Sequence, residues 1–169
     1  MNLADHWGFT GTRNNLTGEQ HAWLQEVLPG DVVVHHGACV GADSAMHVYA
    51  MDKGNDVVVH PPTNPRLRMA YDPRALWLPA KDYLDRDRDI VDAVQLLLAT
   101  PDGPERWQSG TWYTVRYAVS VAVPVFICYP DGTVEEWRPS PPRRSTSPTS
   151  PTQTKPSRST KAEVGADDR

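Results

Sequence analysis

The chain has 169 residues, 39% of them hydrophobic and 22% charged, with a net charge of −4, which allows one domain with a real core and some spare length. No apolar run approaches the roughly 18 residues of a membrane span, Met1 to Asp5 lacks the basic and apolar regions of a secretory signal, and two isolated cysteines, Cys39 and Cys128, supply neither a disulfide framework nor a structural zinc site. The charge is divided: residues 1–138 hold 11 Lys/Arg against 18 Asp/Glu, and residues 139–169 hold 6 against 3, so the core lacks the basic footprint of a phosphate-backbone binder.

In chain order, Trp7-Gly8-Phe9-Thr10 reads as a first strand. Thr17-Gly18-Glu19-Gln20 has capping-box spacing, and Trp23, Leu24, Val27 and Leu28 give the helix that follows an apolar stripe, stopped by Pro29-Gly30. The β-branched run Val32 to His35 is a second strand. Ala42, Ala45, Met46, Tyr49 and Ala50 recur at helical spacing and predict a second helix, ending near Gly54. Val57 to His60 is a third strand, stopped by Pro61-Pro62. Thr63 to Pro79 is too irregular to assign. A helix over Arg86 to Ala93, a strand at Leu96 to Ala99, a helix over Thr111 to Val121 and a last core strand at Val125 to Cys128 complete the core. From Pro139 onward Ser, Thr, Pro and basic residues dominate, with Val164 the lone large apolar side chain. Such a segment cannot bury enough surface to offset its ordering entropy, which predicts a disordered basic tail over 139–169.

Apolar strands alternating with helices imply an α/β fold: a single three-layer, Rossmann-like domain over residues 1–138, with a mostly parallel sheet. Ligands in such sheets sit beyond the carboxyl ends of the strands. Three loops there are rich in small residues and donors. Gly11-Thr12-Arg13 combines close backbone approach, a hydroxyl and a guanidinium fork. The run from His36 through Gly37, Ala38, Cys39 and Gly41 to Asp43 opens a helix and offers free amides to an anion, while Asp43 and His47 lie one turn apart. This run is neither a dinucleotide fingerprint nor a P-loop. Ser109-Gly110-Thr111, followed by Thr114 and Arg116, forms another loop-to-helix junction, which doubles as an ordinary cap. Arg86-Asp87-Arg88-Asp89 places two arginines near strand ends; such alternation also suits a solvated helix start. No nucleophile–base pair stands out. His35, His36 and His60 lack the carboxylate spacing of a metal site, so no metal and no cofactor are expected.

Together these junctions resemble the DprA–LOG-like (SLOG) superfamily of Rossmann-type nucleotide-binding domains. The carrying motifs are Gly41-Ala42-Asp43 with Ala45-Met46-His47, then Arg86-Asp87-Arg88-Asp89-Ile90, then Ser109-Gly110-Thr111 with Thr114, Arg116 and Ala118, in order across roughly residues 6–130. LOG-type members cleave an N-glycosidic bond of a nucleoside monophosphate with a Gly-Thr-x-x-Glu carboxylate, and Thr114 stands at that position here. DprA-type members bind single-stranded DNA through a basic groove, which this acidic core does not offer.

The resemblance implies binding, as a sensor or sequestering module, of a nucleotide or phosphosugar. Gly11, Thr12, Gly37, Gly41, Ser109, Gly110 and Thr111 would hold phosphate, Arg13, Arg86 or Arg88 would neutralise it, and Asp43 would contact ribose. Ala38 and Thr114 belong to the same loops. An N-glycoside hydrolase is the enzyme alternative, with Asp43 as the candidate catalytic carboxylate. A single-stranded DNA accessory protein, contacting DNA through the tail and the Arg86/Arg88 pair, is the other. A cytoplasmic homo-oligomer is expected.

Overall fold

A computed structural model describes residues 5–139; the tail predicted over 139–169 lies, from residue 140 on, outside the described residues. Seven strands form one sheet. They are β1 (Asp5–Gly11), β2 (Val32–His36), β3 (Asp56–Val59), β4 (Leu76–Trp77), β5 (Leu96–Thr100), β6 (Val125–Cys128) and β7 (Val134–Trp137), in the order β4-β3-β2-β1-β5-β6-β7. All neighbours pair in parallel except β6 and β7. Four helices connect them: α1 (Gly18–Val27), α2 (Ala42–Asp52), α3 (Tyr83–Asp92) and α4 (Gly110–Ser120). None is long and apolar enough to cross a membrane.

The period of two along each strand sends alternate side chains into two separate cores. Phe9, Val34, Val57, Val59 and Leu98 pack under α1 and α2 with Leu24, Met46 and Ala50. Leu97, Ala99, Val125 and Ile127 pack on the opposite face with Val91 of α3 and Trp112, Val115 and Ala118 of α4. The α/β reading holds, with three layers and a mostly parallel sheet.

Two strands lie beyond the sequence expectation. β4 is two residues long, inside the segment that carried no periodic signal, and it extends the sheet beside β3. β7 returns antiparallel to β6 after a turn at Asp131 and Gly132, where Gly132 takes φ +85° and Gly132 N–H donates to Tyr129 O.

The capping box at Thr17 is formed: Thr17 Oγ1 accepts from Gln20 N, and Gln20 Oε1 accepts from Thr17 N, each at 3.2 Å. Gln20 is buried, and its Nε2 donates at 2.9 Å to Pro101 O and to Cys128 O. One polar side chain thus ties α1 to the chain leaving β5 and β6. Thr17 Oγ1 also donates to Pro130 O at 2.8 Å. Thr17→Ala removes the cap and this bond together, and should lower stability by about 1–2 kcal/mol, read from the urea midpoint.

Candidate functional site: a crevice at the switch between β1 and β5

Successive strands from β1 to β4 are laid to one side of the sheet, and those from β5 onward to the other. The carboxyl ends of β1 and β5 therefore part company at a topological switch point, where the loops leave a crevice. A cavity of about 410 Å³ opens there. Its walls are the Gly11–Asn14 loop after β1, the first turn and a half of α3, and the N-terminus of α4 with the loop before it.

The loop after β1 is held tightly. Thr12 N donates to Thr100 O at 2.9 Å, and Ala42 N donates to Thr12 O at 3.0 Å. A side chain at Gly11 would come within 2.4 Å of Ala42 Cβ and 2.5 Å of Thr100 Oγ1. Gly41, the N-cap of α2, has φ +91°, and a Cβ there would lie 2.5 Å from Arg13 O. These two glycines thus serve close packing between α2 and the Thr12–Arg13 loop.

Arg86 is the centre of the crevice. It is only 5% exposed, and a Cβ on Gly37 would fall 1.4 Å from its Nη1, so the missing side chain of Gly37 is what admits the guanidinium. Arg86 Nη1 lies 3.2 Å from Asp87 Oδ1, and Nη2 reaches Cys39 Sγ at 3.4 Å. Its Nε is buried without a hydrogen-bond partner. Tyr83, one turn earlier, has two arginines over its ring, with Arg13 and Arg86 at 5.7 and 5.8 Å from its centroid. Its hydroxyl lies over Gly110, where a Cβ would meet it at 1.7 Å.

Two carboxylates flank the guanidinium. Asp43 Oδ2 accepts from Cys39 N at 2.9 Å. Burial pushes Asp43 up to about 6, with Arg86 pulling the other way. Asp87 is likewise pushed up to about 6 by burial, against the pull of Arg86. Burial raises the Cys39 thiol as well. At the rim, Arg106 Nη2 holds both oxygens of Asp102, at 2.7 and 2.6 Å. On α4, Ser109 Oγ accepts from Trp112 N at 3.4 Å. The amides of Gly110 and Thr111, which a helix leaves without internal partners, line the cavity.

The sequence candidates are thus divided. Gly11, Thr12, Arg13, Asp43, Arg86, Ser109, Gly110 and Thr111 converge on the cavity wall. Gly37, Ala38 and Gly41 shape the loop behind it, and Thr114 is buried, donating to Gly110 O at 3.0 Å. Arg88 is not brought to the crevice. It stands on the outer side of α3, donating to Tyr113 Oη at 2.7 Å, with its guanidinium over the Tyr113 and Tyr117 rings. Tyr83, Asp87 and Cys39, with Asn14, Asp102, Arg106 and Gln108 toward the rim, also line the cavity and were not among the sequence candidates, although Cys39 and Asp87 lay inside the runs that pointed to it.

The strand-end histidines are not isolated either. Ala38 N donates to His36 Nδ1, which leaves the His36 proton on Nε2, facing His47 Nδ1 at 2.9 Å; His47 Nε2 then faces Asp72 Oδ2 at 3.2 Å. This one-way chain fixes both tautomers and pins Ala38, whose φ is +55°. A second string, His6–His35–His60, runs across β1, β2 and the end of β3 with nitrogen separations of 2.7 and 3.0 Å. Burial lowers His35 and His60 to about 4. Among the described residues no group of three or more His, Cys, Asp or Glu side chains is gathered to hold a metal ion.

Two solved structures share this architecture. DNA processing protein A (DprA) from Streptococcus pneumoniae aligns with a TM-score of 0.57 at 18% identity, over 73% of this chain and 50% of that one. The present chain thus spans about half the length of that relative. TM1055, a structural-genomics target, aligns with a TM-score of 0.50 at 16% identity, over 72% of each chain. No family model matches the sequence, and no curated protein matches it. The chain thus shares the Rossmann-like fold of these two structures.

Proposed function

We propose that this chain binds a nucleotide or nucleotide-derived phosphosugar in the crevice between β1 and β5, as a sensing or sequestering module. The carrying observation is Arg86: a guanidinium held almost wholly buried in the cavity wall, with Arg13 beside it. A guanidinium presented in this way is a forked donor suited to phosphate or carboxylate oxygens. The Gly110 and Thr111 amides supply further donors, together with the positive end of α4. The volume of about 410 Å³ falls within the range for small-molecule sites. The core's net negative charge is met by local cations, as an anion site in such a core requires.

Hydrolysis through Asp43 receives less support, because the Cys39 amide engages that carboxylate at 2.9 Å and gives it a loop-holding role. The test is to incubate the full chain with nucleoside monophosphates, dinucleotides, cyclic nucleotides and phosphosugars, then follow retained ligand and released base by mass spectrometry. Retention of an intact ligand is expected. Release of free base would instead make the protein an enzyme, and retention of nothing across the panel would remove the binding reading.

The same site predicts a pH dependence. Above about pH 6 Asp43 and Asp87 are ionised and offset Arg86 and Arg13; below it they become neutral and leave the cations unopposed. Sulfate, whose charge is constant over this range, should therefore bind more tightly at pH 5 than at pH 7.5 in calorimetric titrations. Equal affinity at the two pH values would show that these carboxyls do not face the bound anion.

A further inference from the structure

We infer that Asp87, rather than Asp43, reads the hydroxyl groups of the ligand's sugar, and so sets a preference for a ribo- over a deoxyribo-configured phosphosugar. The inference rests on the ligand reading above and assigns the polarity of the site within it.

The two carboxylates beside Arg86 are not equivalent. Asp43 faces the loop behind the crevice and takes a hydrogen bond from the Cys39 amide at 2.9 Å. Asp87 takes none from any backbone amide of the described residues. Its neighbours are Arg86 Nη1 at 3.2 Å and the Thr114 hydroxyl, whose single proton goes to Gly110 O at 3.0 Å. An ionised carboxylate has about four acceptor positions, so Asp87 retains acceptor capacity in a cavity that it lines while only 4% exposed.

A phosphate cannot fill that capacity, since it is itself an anionic acceptor. Hydroxyl donors can. Arg86 and the N-terminus of α4 thus take the acceptor end of a ligand, and Asp87 takes a donor end. A sugar phosphate carries both ends within one small molecule, and a vicinal diol presents two O–H groups to the two carboxylate oxygens. Removing the 2-hydroxyl deletes one charge-assisted hydrogen bond, a contact of the strength that shifts affinity by about ten- to hundred-fold.

The test titrates the full chain with ribose 5-phosphate, 2-deoxyribose 5-phosphate and sulfate, comparing the unaltered protein with Asp87→Ala and the isosteric Asp87→Asn. The unaltered protein should prefer the ribo sugar by about ten- to hundred-fold. Asp87→Ala should bring the two sugar phosphates to equal affinity while sulfate still binds. Asp87→Asn, which preserves the packing if alanine does not fold, should retain at most a small preference. Sugar phosphates bound without a ribo preference, or a preference that survives in both variants, overturns the assignment to Asp87 and leaves the ligand reading standing. Binding of sulfate but of neither sugar phosphate overturns both.

Discussion

Arg86→Ala will destabilise the protein by about 3–5 kcal/mol at pH 8, the range for removing one partner of a buried ion cluster, and will abolish sulfate binding. Loss of favourable contacts is the smaller part of that effect. Asp43 and Asp87, 5% and 4% exposed, lose the cation that keeps them ionised, so each must be buried as an uncompensated anion or take up a proton. The pH dependence follows from the sign of the shifts. A carboxyl whose folded pKa is raised to about 6, above the ordinary carboxylate value of 3.8, opposes folding fully above about pH 6, and this opposition is relieved as pH falls toward 4. At pH 5 the two acids of the unaltered protein are already largely neutral, so Arg86 has less to compensate. The destabilisation should therefore be clearly smaller at pH 5 than at pH 8 when both proteins are unfolded in urea. An equal loss at both pH values would mean that Arg86 acts through packing alone.

Gly41→Ala is the second large effect, expected at about 3 kcal/mol or more from backbone strain and overpacking together. At φ +91° and ψ −125° the residue occupies backbone space that an L side chain rarely adopts, and the added methyl would lie 2.5–2.8 Å from Arg13 O, Arg13 C and Asn14 O. All three are backbone atoms, so no side chain can rotate away, and the Thr12–Arg13 loop must shift. That loop forms one wall of the crevice. The variant should therefore show a lowered urea midpoint and weakened sulfate binding together. A stable variant with unchanged binding would show that the loop and α2 do not pack as described. By contrast, Gly18→Ala, where a Cβ meets nothing within 4 Å, serves as the control.

The sheet interior was legible because β2, β3, β5 and β6 are short runs dense in Val, Leu and Ile, as strands covered on both faces must be. β4 and β7 lie at the sheet edges, where that demand lapses. Leu76 is exposed, and Val134-Glu135-Glu136-Trp137 has no apolar run. The one sequence signal for β7 was its turn, Pro130-Asp131-Gly132, a combination that suits a hairpin. The site shows the same pattern on a smaller scale. Arg86 and Arg88 read as a pair along the chain, yet two positions on a helix are turned by about 200°, so they cannot face one crevice. Tyr83, Arg86 and Asp87 stand three and four apart and share a face, and helical geometry alone groups them. That Asp43 would be engaged by the Cys39 amide depended on the conformation of a loop in which Ala38 takes a left-handed φ, and composition does not reveal that.

The sheet order also says when the crevice comes into being. Trp7 to Gly11 can pair with Val32 to His36 and its successors as soon as those segments have left the ribosome, but the other edge of β1 waits for Leu96 to Thr100. The half-built sheet carries Asp43 and the Arg13 loop without their opposite wall, since α4 and the loop before it are made later still. Arg86 precedes β5 in the chain and has its cavity only after β5 docks. The crevice is thus a late product of folding, assembled by the most sequence-distant contacts in the sheet, the class that forms slowly. A ligand that needs both walls will recognise only chains that have completed this docking, and its binding will draw partly folded chains toward completion by mass action.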